Sequence, residues 1–161
     1  MELWELVARE RIRDSIALYN WSGDAYRLED LTRAFSEDGT LEVRGEEPRT
    51  GRKAILEYLG GIRGTDGGED ARAALKAAAA TSGIKKIVRH NIANVRFVEL
   101  TPQQAKTSCY FTVFTEIGLD HYGRYRDTFV PVGDEWLIQH RFVSTDWRAE
   151  DSVMAAPSSV H

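Results

Sequence analysis

The second half of the chain consists almost entirely of strand-forming sequence, and this limits the fold more than anything else. Ile87–Leu100, Thr107–Ile117, Tyr122–Val132 and Trp136–Thr145 are rich in β-branched and aromatic residues, which suit a pleated, half-buried surface. Thr101-Pro102, Gly118-Leu119-Asp120 and Gly133-Asp134 separate them and read as short turns. Strands joined so tightly must run antiparallel, because a parallel return needs a crossover of a dozen or more residues. The first half has a different period. Leu3, Leu6, Val7, Ile12, Ile16 and Tyr19 recur at near-helical spacing, which predicts a helix over Leu3–Trp21 with one inward stripe. Ser22-Gly23-Asp24 reads as its interruption. A short helix is expected over Leu28–Phe35, a turn at Glu37-Asp38-Gly39 and a short strand over Thr40–Val43. Thr50 is placed to cap a third helix through Ala54, Ile55, Tyr58 and Leu59. Helices first and strands afterwards make an α+β fold: a curved sheet with the N-terminal helices in its concavity and an apolar pocket between the layers.

A length of 161 residues suits one domain, expected over residues 1–147. The stretch 148–161, rich in Ala, Ser and Pro, reads as a loose tail. With 42% hydrophobic and 29% charged residues the composition is that of a globular domain rather than a disordered chain. The formal net charge of −4 argues against a nucleic-acid partner, which would need clustered Lys and Arg. No apolar run approaches the ~20 residues of a membrane span, and Met1-Glu2-Leu3-Trp4-Glu5 lacks the basic and apolar regions of a signal peptide. A cytoplasmic protein without membrane association is expected. Cys109 is the single cysteine, so an internal disulfide is excluded. It reads as a small buried apolar residue. Gly60–Gly83 begins with glycines and charges and continues into the alanine-rich Ala71–Ala80. It reads as a short helix on a flexible leash, either a lid or a surface insertion.

The residue that most invites chemistry is His90. Alternation along Val88-Arg89-His90-Asn91-Ile92-Ala93-Asn94 puts Val88, His90, Ile92 and Asn94 on one face. An inward histidine there is either a hydrogen-bonded core residue or a general base. Asp24, just after the first helix, is either a turn residue or the carboxylate that fixes an imidazole tautomer. Tyr19 is either an aromatic of the helix stripe or a hydroxyl that polarises a carbonyl oxygen. Of the other histidines, His121 follows Asp120 in a turn and is expected exposed. His140 alternates with Trp136, Ile138 and Phe142 and is expected on the sheet's other side or at a subunit contact, and His161 is terminal. No pair has zinc-ligand spacing, so no metal is expected. Trp21, Tyr26, Tyr58, Phe97, Tyr110 and Tyr125 suggest a flat or polycyclic ligand.

Tyr19 through Asp38 resembles the first motif of SnoaL-like proteins, members of the nuclear transport factor 2-like superfamily. Arg89-His90-Asn91-Ile92-Ala93-Asn94 is similar to the family's Arg-His-x-x-x-Asn strand. Gly123–Asp127 and Gly133–Arg141 resemble its last two strands. The resemblance spans roughly Leu6 to Trp147 and implies a cone-shaped α+β barrel. In the family's dehydratases an Asp after the first helix pairs with a His on the first long strand. Asp24 and His90 match those positions, Tyr19 matches a tyrosine five residues before the Asp, and Arg141 matches an arginine of the last strand. For a second pocket histidine of scytalone dehydratase, Tyr110 or His121 is a replacement, or nothing is. The resemblance thus implies a cofactor-independent dehydratase or other lyase acting on a small cyclic, polyketide-like or steroid-like carbonyl compound. The alternatives are an isomerase or cyclase with the same base, and a non-catalytic binding or assembly subunit. Its implied catalytic residues are His90, Asp24 and Tyr19, and its implied ligand contacts are Tyr110, Tyr125, Trp21, Tyr58, Asn94 and Arg141. The expected partners are a small hydrophobic or aromatic ligand and further copies of the chain, as a homodimer or homotrimer, with Phe114 and Trp136 as outward aromatics.

Overall fold

The computed structural model describes residues 1–62, 87–152 and 154. Helix α1 spans Leu3–Asp24. Its start is fixed by a capping box, in which the backbone N of Glu2 donates to the Glu5 carboxylate at 2.6 Å and the Glu2 side chain accepts from the Glu5 backbone N–H. The helix does not break at Ser22-Gly23 as expected. It carries Asp24 as its last residue and ends where Tyr26 turns to φ +56. Ala8, Ile12, Ile16 and Tyr19 form its buried stripe, whereas Leu3, Leu6 and Val7 are exposed. Helix α2 is shorter than expected, Leu28–Thr32, because Phe35 opens a strand instead.

Strand β1, Phe35–Val43, runs through Glu37-Asp38-Gly39, the expected turn. Those residues form an irregularity in the ladder: pairing jumps from Phe35↔Ile138 to Thr40↔His140. Gly39 sits where a Cβ would come within 2.7 Å of the Ile138 carbonyl, so the close approach of two backbones sets that residue. Strand β2, Arg49–Thr50, pairs with β1, and the Thr50 hydroxyl meets that of Thr40 at 2.9 Å instead of capping a helix. Gly51, at φ +87, turns the chain into α3, Arg52–Ile62.

The four long strands follow: β3 Arg89–Leu100, β4 Ala105–Thr115, β5 Gly118–Val132 and β6 Glu135–Arg148. They form the expected antiparallel meander inside a six-stranded sheet of order β2-β1-β6-β5-β4-β3, in which only β1 and β6 run parallel. The helices cover one face. Between helices and sheet lies the core, with Ile12, Phe35, Leu41, Ile55, Val113, Phe129 and Ile138 at its centre. Trp136, expected outward, is buried, while Phe114 is exposed. The expected loose tail is partly tied down: the Ala149 N–H donates to the Asp120 carbonyl at 2.7 Å, and Ser152 is buried. Beyond Ile62, the segment read as lid or insertion lies outside the described residues. Among those described, no helix is long and apolar enough to cross a membrane.

Candidate active site

The end of α1 and the start of β3 bring Asp24 and His90 into contact across 66 residues of sequence. Asp24 Oδ1 lies 2.6 Å from His90 Nδ1, and its Oδ2 accepts the His90 backbone N–H at 3.0 Å. One carboxylate therefore grips both the ring and the strand that carries it. A proton on Nδ1 pointing at the carboxylate leaves Nε2 with a lone pair. Both side chains keep some solvent access, 18% for His90 and 12% for Asp24. An open groove of about 730 Å³ passes them, lined by Asn20, Trp21, Asp24, Val88, His90 and Phe114 among others.

A second imidazole–carboxylate pair occupies the same face of the sheet. His90 is opposite Val113 on β4, and Val113 is opposite His121 on β5. The two histidines thus flank one residue on adjacent strands, about 10 Å apart at two strand spacings. His121 is buried, against the expectation of an exposed turn residue. The strand runs through the expected turn, so alternation with Gly123 and Tyr125 keeps His121 inward. A bulge then follows, since Val113 pairs with His121 and Phe114 with Leu119, which leaves Asp120 as an extra residue in β5. The bulge brings Asp120 inward beside His121. His121 Nδ1 and Asp120 Oδ1 are 2.6 Å apart. Burial holds the His121 imidazole below its ordinary pKa, with the neighbouring His90 acting the same way and Asp120 opposing. Burial would raise the Asp120 carboxyl, but hydrogen bonds from Ser152, His121 and Thr115 outweigh it and hold the group below its usual value.

Deeper in the core lies an ion pair. Arg141 on β6 and Asp127 on β5 are wholly buried and bond through two contacts, Nε–Oδ1 at 2.9 Å and Nη2–Oδ2 at 2.7 Å. The guanidinium sits between two rings, 4.2 Å from the centroid of Tyr19 and 4.1 Å from that of Tyr125. Burial pushes the hydroxyl of Tyr19 above, and that of Tyr125 well above, the ordinary tyrosine value, with Arg141 pulling the other way. Both therefore stay protonated, as donors. Tyr125 stacks on Phe111, whose ring meets His121 edge-on at 5.9 Å.

The expected ligand contacts separate accordingly. Tyr19, Tyr125 and Arg141 come together in the interior, where Asp127 takes two contacts of the Arg141 guanidinium and Nη1 is buried without a hydrogen-bond partner among the described residues. Tyr110 is 52% exposed, on the outer face, because its neighbours Cys109 and Phe111 point inward. Asn94 is also exposed. It adopts φ +54 at a bulge in β3, where pairing passes from Ala93↔Tyr110 to Arg96↔Ser108, and this ends the alternation that began at His90. Trp21 is 73% exposed and stands on the rim of the groove. Tyr58 is half-buried under Arg49. Its hydroxyl is pushed up by burial and by Glu46. Sequence reasoning missed the Asp120–His121 pair. Counting alternate residues back from Tyr125 and Gly123 places His121 inward, and this was the available signal.

No curated protein matches the chain in sequence. Solved structures share its fold over nearly the whole length. An NTF2-like protein with a cystatin-like fold from Novosphingobium aromaticivorans is 23% identical with TM-score 0.69, over 96% of this chain and 93% of its own. A protein of unknown function from Mycobacterium tuberculosis is 22% identical with TM-score 0.69, over 97% and 82%. A protein described as a candidate scytalone dehydratase from N. aromaticivorans is 21% identical with TM-score 0.66, over 99% and 96%. At these identities the likeness establishes the fold alone. The sequence pattern of the SnoaL-like domain matches residues 4–142, and the chain belongs to the SnoaL-like domain family.

Proposed function

We propose that the protein is a cofactor-independent hydro-lyase for a small cyclic carbonyl compound bearing a β-hydroxyl, with His90 as its base. The observation that carries this reading is the double grip of Asp24 on His90, ring and backbone together. A ligand-binding module has no need of an imidazole held in one tautomer beside a groove, so the contact favours chemistry over mere binding. Nε2 of His90 takes the proton from the carbon next to the carbonyl, and the electron pair moves onto the carbonyl oxygen. Asp24 stabilises the imidazolium that forms. Tyr19, kept protonated by burial, donates to the enolate oxygen, with Tyr125 beside it. A preorganised donor of this kind is worth about 3 kcal/mol of barrier. The enolate then collapses, the bond from carbon to the β-hydroxyl breaks, and the His90 imidazolium returns its proton to the departing oxygen. Water and an unsaturated carbonyl compound leave. His121, held neutral by burial, accepts the substrate hydroxyl through Nε2 and so places the leaving group.

Turnover of a panel of cyclic β-hydroxy ketones tests the reading. His90→Ala and Asp24→Asn are each expected to lower kcat by roughly 100- to 10,000-fold while folding is kept. Near-normal turnover by the His90 variant rejects the mechanism. Product mass separates this reaction from the isomerase or cyclase version, since only dehydration loses a water.

A further inference from the structure

The segment after β6 makes a contact that a tail of its composition has no need to make. Ser152 is buried, and its Oγ donates to Asp120 Oδ1 at 2.7 Å. The same Oγ accepts the Met154 backbone N–H at 3.3 Å, which orients the hydroxyl. The carbonyl of Ser152 accepts from Arg148 Nη1 at 3.3 Å, and its N–H donates to the Ala149 carbonyl at 3.2 Å. The Ala149 N–H is in turn bonded to the carbonyl of Asp120. Residues 149–152 thus clamp Asp120 by backbone and side chain together.

The valence of that carboxylate makes the clamp specific. Oδ1 of Asp120 has two lone pairs, and its two donors are the His121 ring and the Ser152 hydroxyl. Oδ2 accepts from Thr115 Oγ1 at 3.1 Å. Asp120 is 1% exposed, so each donor helps to keep it ionised. The bulge that carries Asp120 leaves one more residue in β5 than β4 can pair, and the tail supplies a fixed partner there.

We propose that Ser152 is a positioning residue for His121. Through Asp120 its hydroxyl holds the imidazole in the Nδ1–H form with Nε2 turned to the site, which makes the segment after β6 part of the site rather than an appendage. The role given to His121 in turnover rests on the reaction proposed above. The positioning itself does not.

The test is the titration of His121 followed by NMR in the full chain. Among the described residues the groups that bear on its charge are Asp120 on its own strand, His90 on β3 with Asp24 behind it, and Arg148 opposite on β6. In Ser152→Ala two effects act with one sign. Asp120 gives its undivided acceptor strength to the imidazolium, and water reaches the vacated space and weakens the burial effect. The His121 midpoint is expected to rise by roughly half a pH unit, the share of one charged hydrogen bond that passes through the carboxylate. Ser152→Thr keeps the hydroxyl and is expected to leave the midpoint at its wild-type value. Deletion of residues 149–161 is expected to raise it further than Ser152→Ala. Asp120→Asn, which removes the carboxylate, is expected to lower it. An unmoved midpoint in Ser152→Ala, or an equal rise in Ser152→Thr, overturns the proposal. If His90→Ala retains turnover, the dehydration reading fails while the His121 midpoint still reports on Ser152.

Discussion

The Asp24–His90 pair at the mouth of the interior, the buried Asp120–His121 pair two strands over and the Arg141–Asp127 pair at the floor have similar contact distances, 2.6 Å against 2.7–2.9 Å. They do opposite things. The Arg141–Asp127 pair is sealed, 0% exposed on both sides, and shares its two contacts symmetrically. A guanidinium does not give up its proton in a protein, so this pair can fix geometry but cannot pass a proton to anything. The Asp24–His90 pair leaves one ring nitrogen uncommitted to the carboxylate and keeps access to a groove. Contact distance therefore does not identify the reactive carboxylate. What identifies it is whether its partner can change protonation state where a ligand can reach.

The largest effect expected from this contrast is on stability. Asp127→Asn removes the charge that matches Arg141 but leaves the guanidinium buried between Tyr19 and Tyr125. Loss of one partner of a buried pair costs about 3–5 kcal/mol, to be read as a fall in the urea midpoint. The same exchange at the mouth, Asp24→Asn, is expected to cost much less stability and far more turnover. If the two variants prove equally stable, the division into floor and mouth is wrong.

Tyr19 sits on the boundary and decides where it runs. Its ring faces the Arg141 guanidinium, while its helix ends five residues later at Asp24. Tyr19→Phe keeps the ring and removes the donor. The expectation is a fall in kcat of about 100-fold, the worth of one oxyanion donor, with a stability loss of only about 1 kcal/mol. Wild-type turnover in this variant would assign Tyr19 to the floor with Arg141.

The sequence was informative where one local signal ruled and misleading where a distant backbone did. The four-strand meander follows from alternation and short turns, and β3 to β6 lie close to where that pattern puts them. Glu37-Asp38-Gly39 has turn chemistry, yet it lies within a strand because β6 draws β1 alongside it. Bulges account for two of the facings the pattern did not give, Asn94, which ends the alternation from His90, and Asp120, which turns inward beside His121. The contact of Asp24 with His90 spans 66 residues, so periodicity could not supply it. The resemblance of two short motifs could. Ser152 was illegible for a different reason. A serine in an Ala- and Ser-rich tail gains its partner only from the bulge that the strand pattern concealed.

The smallest effect concerns the Asp120–His121 pair and its dependence on acid. The folded protein holds His121 below the ordinary histidine pKa of about 6.5 through burial, so between the two values the unfolded chain binds more protons. Stability then rises with pH across that window. The contribution is fully present above about pH 6.5 and is lost as pH falls through the lower folded value, with a slope of at most about 1.4 kcal/mol per pH unit for one proton. Asp120 adds a loss of the same sign further down, below the usual aspartate range, since its folded value is also depressed. The floor adds nothing to the His121 window, because Arg141 stays charged throughout. Urea midpoints measured from pH 7 to pH 5 should therefore fall for the wild type and fall less for His121→Gln, which cannot titrate. Parallel curves for the two would mean that His121 charges as freely in the folded protein as in the unfolded chain. That would remove the ground for treating it as a neutral acceptor.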